Sequence, residues 1–174
     1  MIELLLVRHG QAVEEAPGLG DEGRWLTASG RTTTREVASW LAAHESRRAV
    51  EIWTSPLVRS VQTAEILATA LGLVDGVSAK SELLPAGEAA ALVDLIARRG
   101  AEGPLAIVGH EPLLSDTARL LLPAVVWPGF KKSGVLSVAW DGAASAELRF
   151  LLRPKKMRLL RELAPQSKRS AVLP

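Results

Sequence analysis

The chain has 174 residues, 48% of them hydrophobic and 23% charged, with a formal net charge of +2. This length suits one domain with a substantial core and is short for two, and the composition is typical of a soluble globular protein. Because cysteine is absent, a disulfide, a thiolate nucleophile and a cysteine-bound metal are excluded. The three histidines lack ligand spacing, so we expect no metal and no cofactor.

The amino-terminal run does not resemble a targeting segment. It has no basic leader and no cleavage site, and Glu3 interrupts it, which argues against a signal peptide. No stretch approaches the roughly 20 apolar residues of a transmembrane helix. We therefore expect a cytoplasmic protein without a membrane partner.

The chain opens on an apolar run from Ile2 to Val7, in which Glu3 is the polar residue. Such a run predicts a strand that is buried on both faces, as in a parallel sheet. Residues 11–26 form a loop rich in glycine, proline and acids. Thr27 is then the predicted N-cap of a helix that runs to about His44.

The middle of the chain predicts further strand and helix pairs. Residues 49–54 predict a strand, and Ser55-Pro56 predicts a helix that starts at Pro56 and ends at Gly72. The later elements are a short strand over 77–83, a helix over 88–99, a strand over 105–108, a helix over 113–122, and a hairpin of strands 135–140 and 146–152.

This alternation predicts a three-layer α/β sandwich with a mostly parallel central sheet and an antiparallel edge hairpin. Right-handed crossovers place the carboxyl ends of the parallel strands on one side. The loops after residues 7, 54 and 108 should therefore meet there, where open α/β sheets bind ligands. We predict a single domain over residues 1–152.

Residues 153–174 are predicted to be a basic tail, for which a short helix packed on the domain is one option. Up to residue 169 it carries one acid, Glu162, against seven cations: Arg153, Lys155, Lys156, Arg158, Arg161, Lys168 and Arg169. Such a run is usually a solvated face, although it could steer an acidic partner. Without interleaved aromatic residues it does not indicate a nucleic-acid partner.

The residues at the strand ends suggest phosphate chemistry. Positive charge from Arg8 and Arg59 should keep His9 neutral and therefore nucleophilic. The guanidinium groups of Arg8 and Arg59 match phosphate oxygens. The amino end of the second helix offers free N–H groups, and His110 could donate a further hydrogen bond. Gly10 would let the backbone approach the site closely, with an unusual backbone angle available to it.

Three motifs carry a resemblance: Arg8-His9-Gly10 after the first strand, residues 55–64 (SPLVRSVQTA), and residues 108–112 (VGHEP). Together they resemble the histidine phosphatase superfamily, which has the phosphoglycerate mutase-like fold. The short chain and residues 24–27 (RWLT) are similar to its SixA-type phosphohistidine phosphatase branch, as are residues 82–87 and the segment near Lys156.

The resemblance implies a role for each matching position. His9 would be the phosphorylated nucleophile, and Arg8, Arg59 and His110 would form the phosphate pocket. Arg24 and Gly10 would contribute to substrate binding. Two positions depart from the common pattern: Gln11 replaces an acid, and Ser60 replaces an alanine.

The proton donor is not evident, because the mutase branch supplies it from an insertion for which this chain has little room. Glu82 is the nearest candidate by position, and Asp21 and Glu22 are others. Absence of a strong acid would suit phosphohistidine, whose leaving group is easily protonated.

The leading interpretation is thus hydrolysis of phosphohistidine on a signalling protein, such as a phosphotransfer domain, through a covalent intermediate. One alternative is a small-molecule phosphomonoesterase that acts on a small phosphate ester. Another is a catalytically silent phosphate-binding module, which would not need a neutral nucleophile. Mutase activity and nucleic-acid binding are less favoured.

Overall fold

A computed structural model describes residues 1–44, 49–73, 75–143 and 145–166. Within them, seven strands form one sheet: β1 (Ile2–Arg8), β2 (Glu51–Thr54), β3 (Val77–Ala79), β4 (Leu105–Gly109), β5 (Val135–Trp140), β6 (Glu147–Arg153) and β7 (Arg158–Leu160). The α-helices there are α1 (Ala28–Ala42), α2 (Val58–Leu71), α3 (Ala89–Arg99) and α4 (Leu113–Leu121). None of these described helices is long and apolar enough to cross a membrane.

The sheet has the strand order β3-β2-β4-β1-β5-β6-β7. Its first four strands are parallel, and the last three continue it in antiparallel fashion. Because Arg8 pairs with Gly109, and Thr54 with Val108, the carboxyl ends of β1, β4 and β2 lie side by side. The predicted α/β class is confirmed, and the loops after these strands share one edge.

In β1, apolar residues do not alternate with polar ones, because both faces of the strand are buried. Leu4 and Leu6 enter the core that includes the side chains of α3 and α4, whereas Leu5 and Val7 enter the core that includes those of α1 and α2. A strand buried on both faces needs apolar residues at every position. Each such side chain contributes about 1.5–3 kcal/mol when it is fully buried, so the strand that positions His9 is firmly held.

The predicted helix signals are confirmed at two ends. The Thr27 hydroxyl accepts a hydrogen bond from the Gly30 N–H at 3.0 Å, which caps α1. Gly72 ends α2 in the left-handed conformation, with φ of 72°, which glycine adopts without steric cost.

The predicted start of α2 at Pro56 was wrong. The helix begins at Val58 because Leu57 keeps an extended backbone, with ψ of 138°, and acts as the N-cap residue. The Ser55 hydroxyl accepts a hydrogen bond from the Leu57 N–H at 3.3 Å, so it stabilises the turn that leads into the helix.

Two shorter segments also differ from the sequence expectation. The strand predicted over 77–83 ends at Ala79 and is followed by the 3₁₀ turn Ser81–Leu83. After β6, the tail forms a 3₁₀ turn, Lys155–Met157, and then β7, which pairs antiparallel with β6. The domain boundary at residue 152 stays a prediction, and residues 167–174 lie outside the described residues.

Candidate active site

His9 directly follows β1 and is held in one orientation. The residue is only 7% exposed, and its backbone N–H donates to the Gly109 carbonyl at 3.0 Å. The ring Nδ1 lies 2.7 Å from the Gly10 carbonyl oxygen. Because a carbonyl oxygen can only accept, Nδ1 carries the proton and the neutral ring has its lone pair on Nε2.

The surroundings keep this imidazole neutral. The pKa of His9 is lowered from 6.5 to about 4: burial lowers it most, and the charges of Arg59, Arg8 and Lys132 also lower it, against the opposing effect of the Gly10 hydrogen bond. At neutral pH the ring therefore keeps the lone pair that a nucleophile needs.

His110 follows β4 and lies against His9, with 4.9 Å between the ring centroids. Its Nε2 is 2.8 Å from the Ser55 hydroxyl and 3.2 Å from the Ser60 hydroxyl. Burial, and then the proximity of His9, lowers the pKa of His110 to about 3. Its buried Nδ1 has no hydrogen-bond partner among the described residues.

Arg59 projects from the first turn of α2 and is only 4% exposed. It donates two hydrogen bonds to Asp21, one to the backbone carbonyl at 2.7 Å and one to Oδ2 at 2.9 Å. Arg24 binds the other carboxylate oxygen at 2.9 Å. Asp21 thus bridges two guanidinium groups that were predicted to bind phosphate.

This bridge keeps Asp21 ionised. Burial acts to raise the pKa of the carboxyl, but hydrogen bonds from Arg59 and Arg24 outweigh it and hold the pKa below its usual value of 3.8. The side chain is 41% exposed, so the bridge lies at the solvent-facing side of the site.

The predicted cations and histidines converge on one cavity of about 270 Å³. Its lining residues are Arg8, His9, Asp21, Arg24, Arg59, Pro85, His110, Glu111 and Lys132. Four cations oppose two carboxylates there, so the cavity has an excess of positive charge and suits a small anion. Among the described residues, no group of three or more histidine, aspartate or glutamate side chains is placed to hold a metal ion.

Gly10 is placed differently from the expectation. It does not line the cavity, and its N–H donates to the Thr63 hydroxyl at 3.1 Å. It does not adopt the left-handed backbone conformation. Glycine is required here by space, because a Cβ would lie 2.7 Å from the Thr34 hydroxyl oxygen.

Only one of the three candidate proton donors lies in the cavity. Asp21 lines it, whereas Glu22 and Glu82 are exposed and do not. Glu82 instead accepts a hydrogen bond from the Ser81 hydroxyl at 3.2 Å. The structure therefore does not bring either glutamate to the histidines.

Lys132 was missed by the sequence analysis, although the chain holds a signal for it. Strand β5 runs antiparallel to β1, and Val135 pairs with Val7, so residues just before β5 must lie beside the end of β1. The Ser133 N–H contacts the carbonyls of Arg8 and His9, at 3.1 and 3.2 Å. These bonds tie the Lys132 loop to the strand that carries His9.

Glu111 was part of a motif but had no assigned role. Its Oε1 accepts from the Phe130 N–H at 2.9 Å, and its Oε2 accepts from the Ser115 N–H at 3.2 Å. The Phe130 carbonyl in turn accepts from Arg8 Nη1 at 2.9 Å. Glu111 therefore fixes the loop segment that orients the Arg8 guanidinium.

The comparisons agree with this geometry. Residues 4–83 match the model of the histidine phosphatase superfamily (branch 1). An uncharacterised protein of Picosynechococcus sp. is 36% identical over 148 residues, which cover 82% of this chain and 87% of that protein. The chain belongs to the histidine phosphatase superfamily and is a histidine-type phosphatase.

The chain is also similar to phosphohistidine phosphatase SixA of Escherichia coli, at 25% identity over 93% of this chain and all of SixA. A structure of the protein histidine phosphatase SixA complexed with tungstate has a TM-score of 0.82 at 24% identity, and covers 90% of this chain and all of that one. A phosphoglycerate mutase of Bacillus anthracis, 13% identical, has a TM-score of 0.63 over 84% of this chain and 92% of its own. The phosphoglycerate mutase-like fold is thus confirmed.

Proposed function

We propose that this phosphatase hydrolyses phosphohistidine on a signalling protein and that His9 is its covalent nucleophile. The observation that carries the proposal is the state of His9: a buried, neutral ring whose Nδ1 donates to Gly10 and whose Nε2 is free to attack. A cytoplasmic location and a signalling role belong to the same proposal. The relatives named for phosphohistidine hydrolysis support this substrate class.

In the first step, the Nε2 lone pair of His9 attacks the phosphorus atom. The P–N bond of the substrate breaks, and its electron pair returns to the substrate imidazole, which takes up a proton from solvent. Arg8, Arg59 and Arg24 bind the phosphoryl oxygens, and His110, which follows β4, contributes a ring nitrogen. Fixed charges of this kind account for most of the catalysis in phosphoryl transfer.

In the second step, water attacks the phosphorylated His9. The Nε2–P bond breaks, its electrons return to Nε2, and both protons of the water stay with the released phosphate. Gly10 holds Nδ1 throughout, so the same nitrogen is regenerated for the next turnover.

The carboxylates favour a leaving group that needs no strong acid. Asp21 is ionised by its two arginine partners, and both oxygens of Glu111 accept hydrogen bonds from the protein. An imidazole leaving group takes a proton readily, whereas an alkoxide needs a proton donor. This difference supports phosphohistidine over an alkyl phosphate.

A small phosphate ester is the second candidate, because the loop over residues 11–26 contributes Asp21 and Arg24 to the cavity wall. A wall of this kind could enclose a small substrate. With an alkyl phosphate as substrate, Asp21 would have to take up a proton despite its two arginine partners in order to act as the proton donor.

The test compares kcat/KM for a phosphohistidine-bearing phosphotransfer domain, an aryl phosphate and an alkyl phosphate, with wild type and three variants. We expect the phosphotransfer domain to be the best substrate. Glu22→Gln and Glu82→Gln should stay within about twofold of wild type, since neither carboxylate reaches the cavity. Asp21→Asn should retain turnover of phosphohistidine.

A different pattern would contradict the proposal. If the alkyl phosphate is the best substrate and Asp21→Asn abolishes its turnover, the protein is a small-molecule phosphomonoesterase with Asp21 as the acid. Tight phosphate binding by folded protein without turnover of any substrate would indicate a phosphate-binding module.

A further inference from the structure

A second positively charged region begins at the edge of the active site. It is a groove of about 700 Å³ between α1, the loop before β5, and the turn between β6 and β7. Six cationic side chains line it: Lys131, Lys132, Arg153, Lys155, Lys156 and Arg158. We call it the basic groove. Among its described lining residues, the acidic one is Glu36 on α1.

The cations of the basic groove are not neutralised by the protein. In the described part of the chain, none of the six forms an ion pair with a carboxylate within 4.0 Å. Lys131, Lys155, Lys156 and Arg158 are exposed, and the Nε of Arg153 is buried without a hydrogen-bond partner there. Clustered like charges repel one another, and an anionic partner would relieve that repulsion.

The basic groove is physically joined to the active site. Lys132 lines both the basic groove and the active-site cavity, and the next residue, Ser133, is hydrogen-bonded to the backbone of Arg8 and His9. The Ser133 hydroxyl also lies 3.0 Å from that of Thr34 on α1. A molecule whose phosphoryl group reaches His9 can therefore extend along the basic groove.

The far wall is a defined turn. The Met157 N–H donates to the Pro154 carbonyl at 2.9 Å, and Arg153 and Arg158 face each other across β6 and β7. Lys156 has a φ of 61°, a conformation that usually favours glycine. The sequence places a lysine there, and its cationic side chain adds to the basic groove.

We infer that the basic groove docks an acidic segment of the phosphorylated protein substrate, an inference that rests on the proposed function. A small phosphate ester would fill the 270 Å³ cavity and leave the larger groove unused. No aromatic side chain lines the groove among the described residues, so it lacks the stacking surfaces that single-stranded nucleic acids need. Carboxylates flanking a phosphohistidine would complement the positive charge of the groove.

The experiment uses two phosphohistidine peptides of equal length, one with flanking Asp and Glu and one with flanking Ser and Asn, together with phosphoramidate. The groove variant is Lys155→Glu/Arg158→Glu, and the matched control is Arg35→Glu/Arg98→Glu, which changes the net charge equally on exposed residues outside the groove. At low salt, we expect the groove variant to lose about tenfold in kcat/KM for the acidic peptide, mainly through KM. Turnover of the Ser/Asn peptide and of phosphoramidate should stay unchanged, as should all activities of the control.

Binding of the unphosphorylated acidic peptide, measured by fluorescence anisotropy, separates this inference from the proposed function. Binding that weakens in the groove variant supports docking even if no phosphohistidine compound is hydrolysed, which would refute only the proposed function. Equal binding by wild type and the groove variant would refute the docking surface. If a single-stranded oligonucleotide binds more tightly than the peptide, and this binding is lost in the groove variant, the partner of the groove is a nucleic acid and not an acidic protein.

Discussion

The active-site cavity and the basic groove are both rich in cations, but they are built differently. Arg59 in the cavity is 4% exposed, and its guanidinium makes two hydrogen bonds to Asp21. Lys155 and Lys156 in the groove are exposed and have no ion-pair partner among the described residues. The cavity thus holds positive charge that is fixed by hydrogen bonds, whereas the adjacent groove holds positive charge that is free of ion pairs.

The difference indicates what each region can do. Fixed, desolvated charge costs no reorganisation when a reaction occurs, so it stabilises a transition state. Free charge in solvent is screened and contributes little to a single contact, but it attracts and orients a charged partner. The cavity is therefore suited to chemistry and the groove to recognition.

The largest expected contrast comes from removing one cation from each region. Arg59→Ala should lower kcat/KM for the phosphotransfer domain by roughly a hundredfold to a thousandfold, since it removes a buried donor to the phosphoryl group and frees Asp21. Lys155→Ala should change turnover of an aryl phosphate by no more than about twofold. Steady-state kinetics measures both, and thermal unfolding checks that each variant is folded.

Equal losses of activity in Arg59→Ala and Lys155→Ala would contradict the distinction between fixed charge in the cavity and free charge in the groove. Arg59→Lys sharpens it, because lysine keeps the charge but not the planar fork that contacts Asp21 at two points. We expect most of the Arg59→Ala loss to persist in that variant.

A smaller effect should follow from the hydroxyl groups behind His110. Ser55→Ala removes the 2.8 Å contact to Nε2 and leaves only the 3.2 Å contact from Ser60. The same change removes the acceptor of the Leu57 N–H, and loss of these two hydrogen bonds predicts a decrease of roughly tenfold in kcat, with Ser39→Ala on the exposed side of α1 as the matched control. An unchanged kcat would show that His110 does not need this support.

The smallest expected effect concerns pH: the protonation state of His9 should not change between pH 7 and pH 5. His9 has a lowered pKa of about 4, so its ring should stay neutral over this range. Imidazole C–H resonances followed by NMR, with His9→Gln to assign the signal, measure this directly. A midpoint near 6.5 would contradict the buried, cation-flanked environment.

The same lowered pKa values affect stability. Between about pH 6.5 and about pH 4, a histidine in the unfolded chain binds a proton, whereas His9 and His110 in the folded chain do not. The unfolded state is therefore favoured as the pH falls through this window, and the free energy of unfolding decreases.

Much of the site was predictable because it depends on strand ends. Arg8 ends β1, and His9 and His110 directly follow β1 and β4, two adjacent parallel strands whose buried, apolar character is evident in the sequence. Arg59 follows β2 by one short turn. Parallel pairing then brings these residues together, whatever the details of the loops.

Other features depend on long-range contacts that local patterns do not encode. Lys132 is placed by hydrogen bonds from its neighbour Ser133 to the end of β1, and Asp21 is placed by its arginine partners rather than by a helix or strand. Strand β7 is too short for a periodic signal, although Leu159 and Leu160 pack into opposite cores as adjacent strand residues must.

The most direct test of the account is to trap the covalent intermediate on His9. Wild type, His9→Ala and His44→Ala would be mixed with a phosphotransfer domain carrying labelled phosphohistidine and quenched in alkali within milliseconds. We predict a burst of protein-bound phosphate in wild type and His44→Ala, whose altered histidine is exposed and outside the cavity, and none in His9→Ala. Turnover by wild type without a trapped intermediate, or a label that persists in His9→Ala, would contradict His9 as the nucleophile.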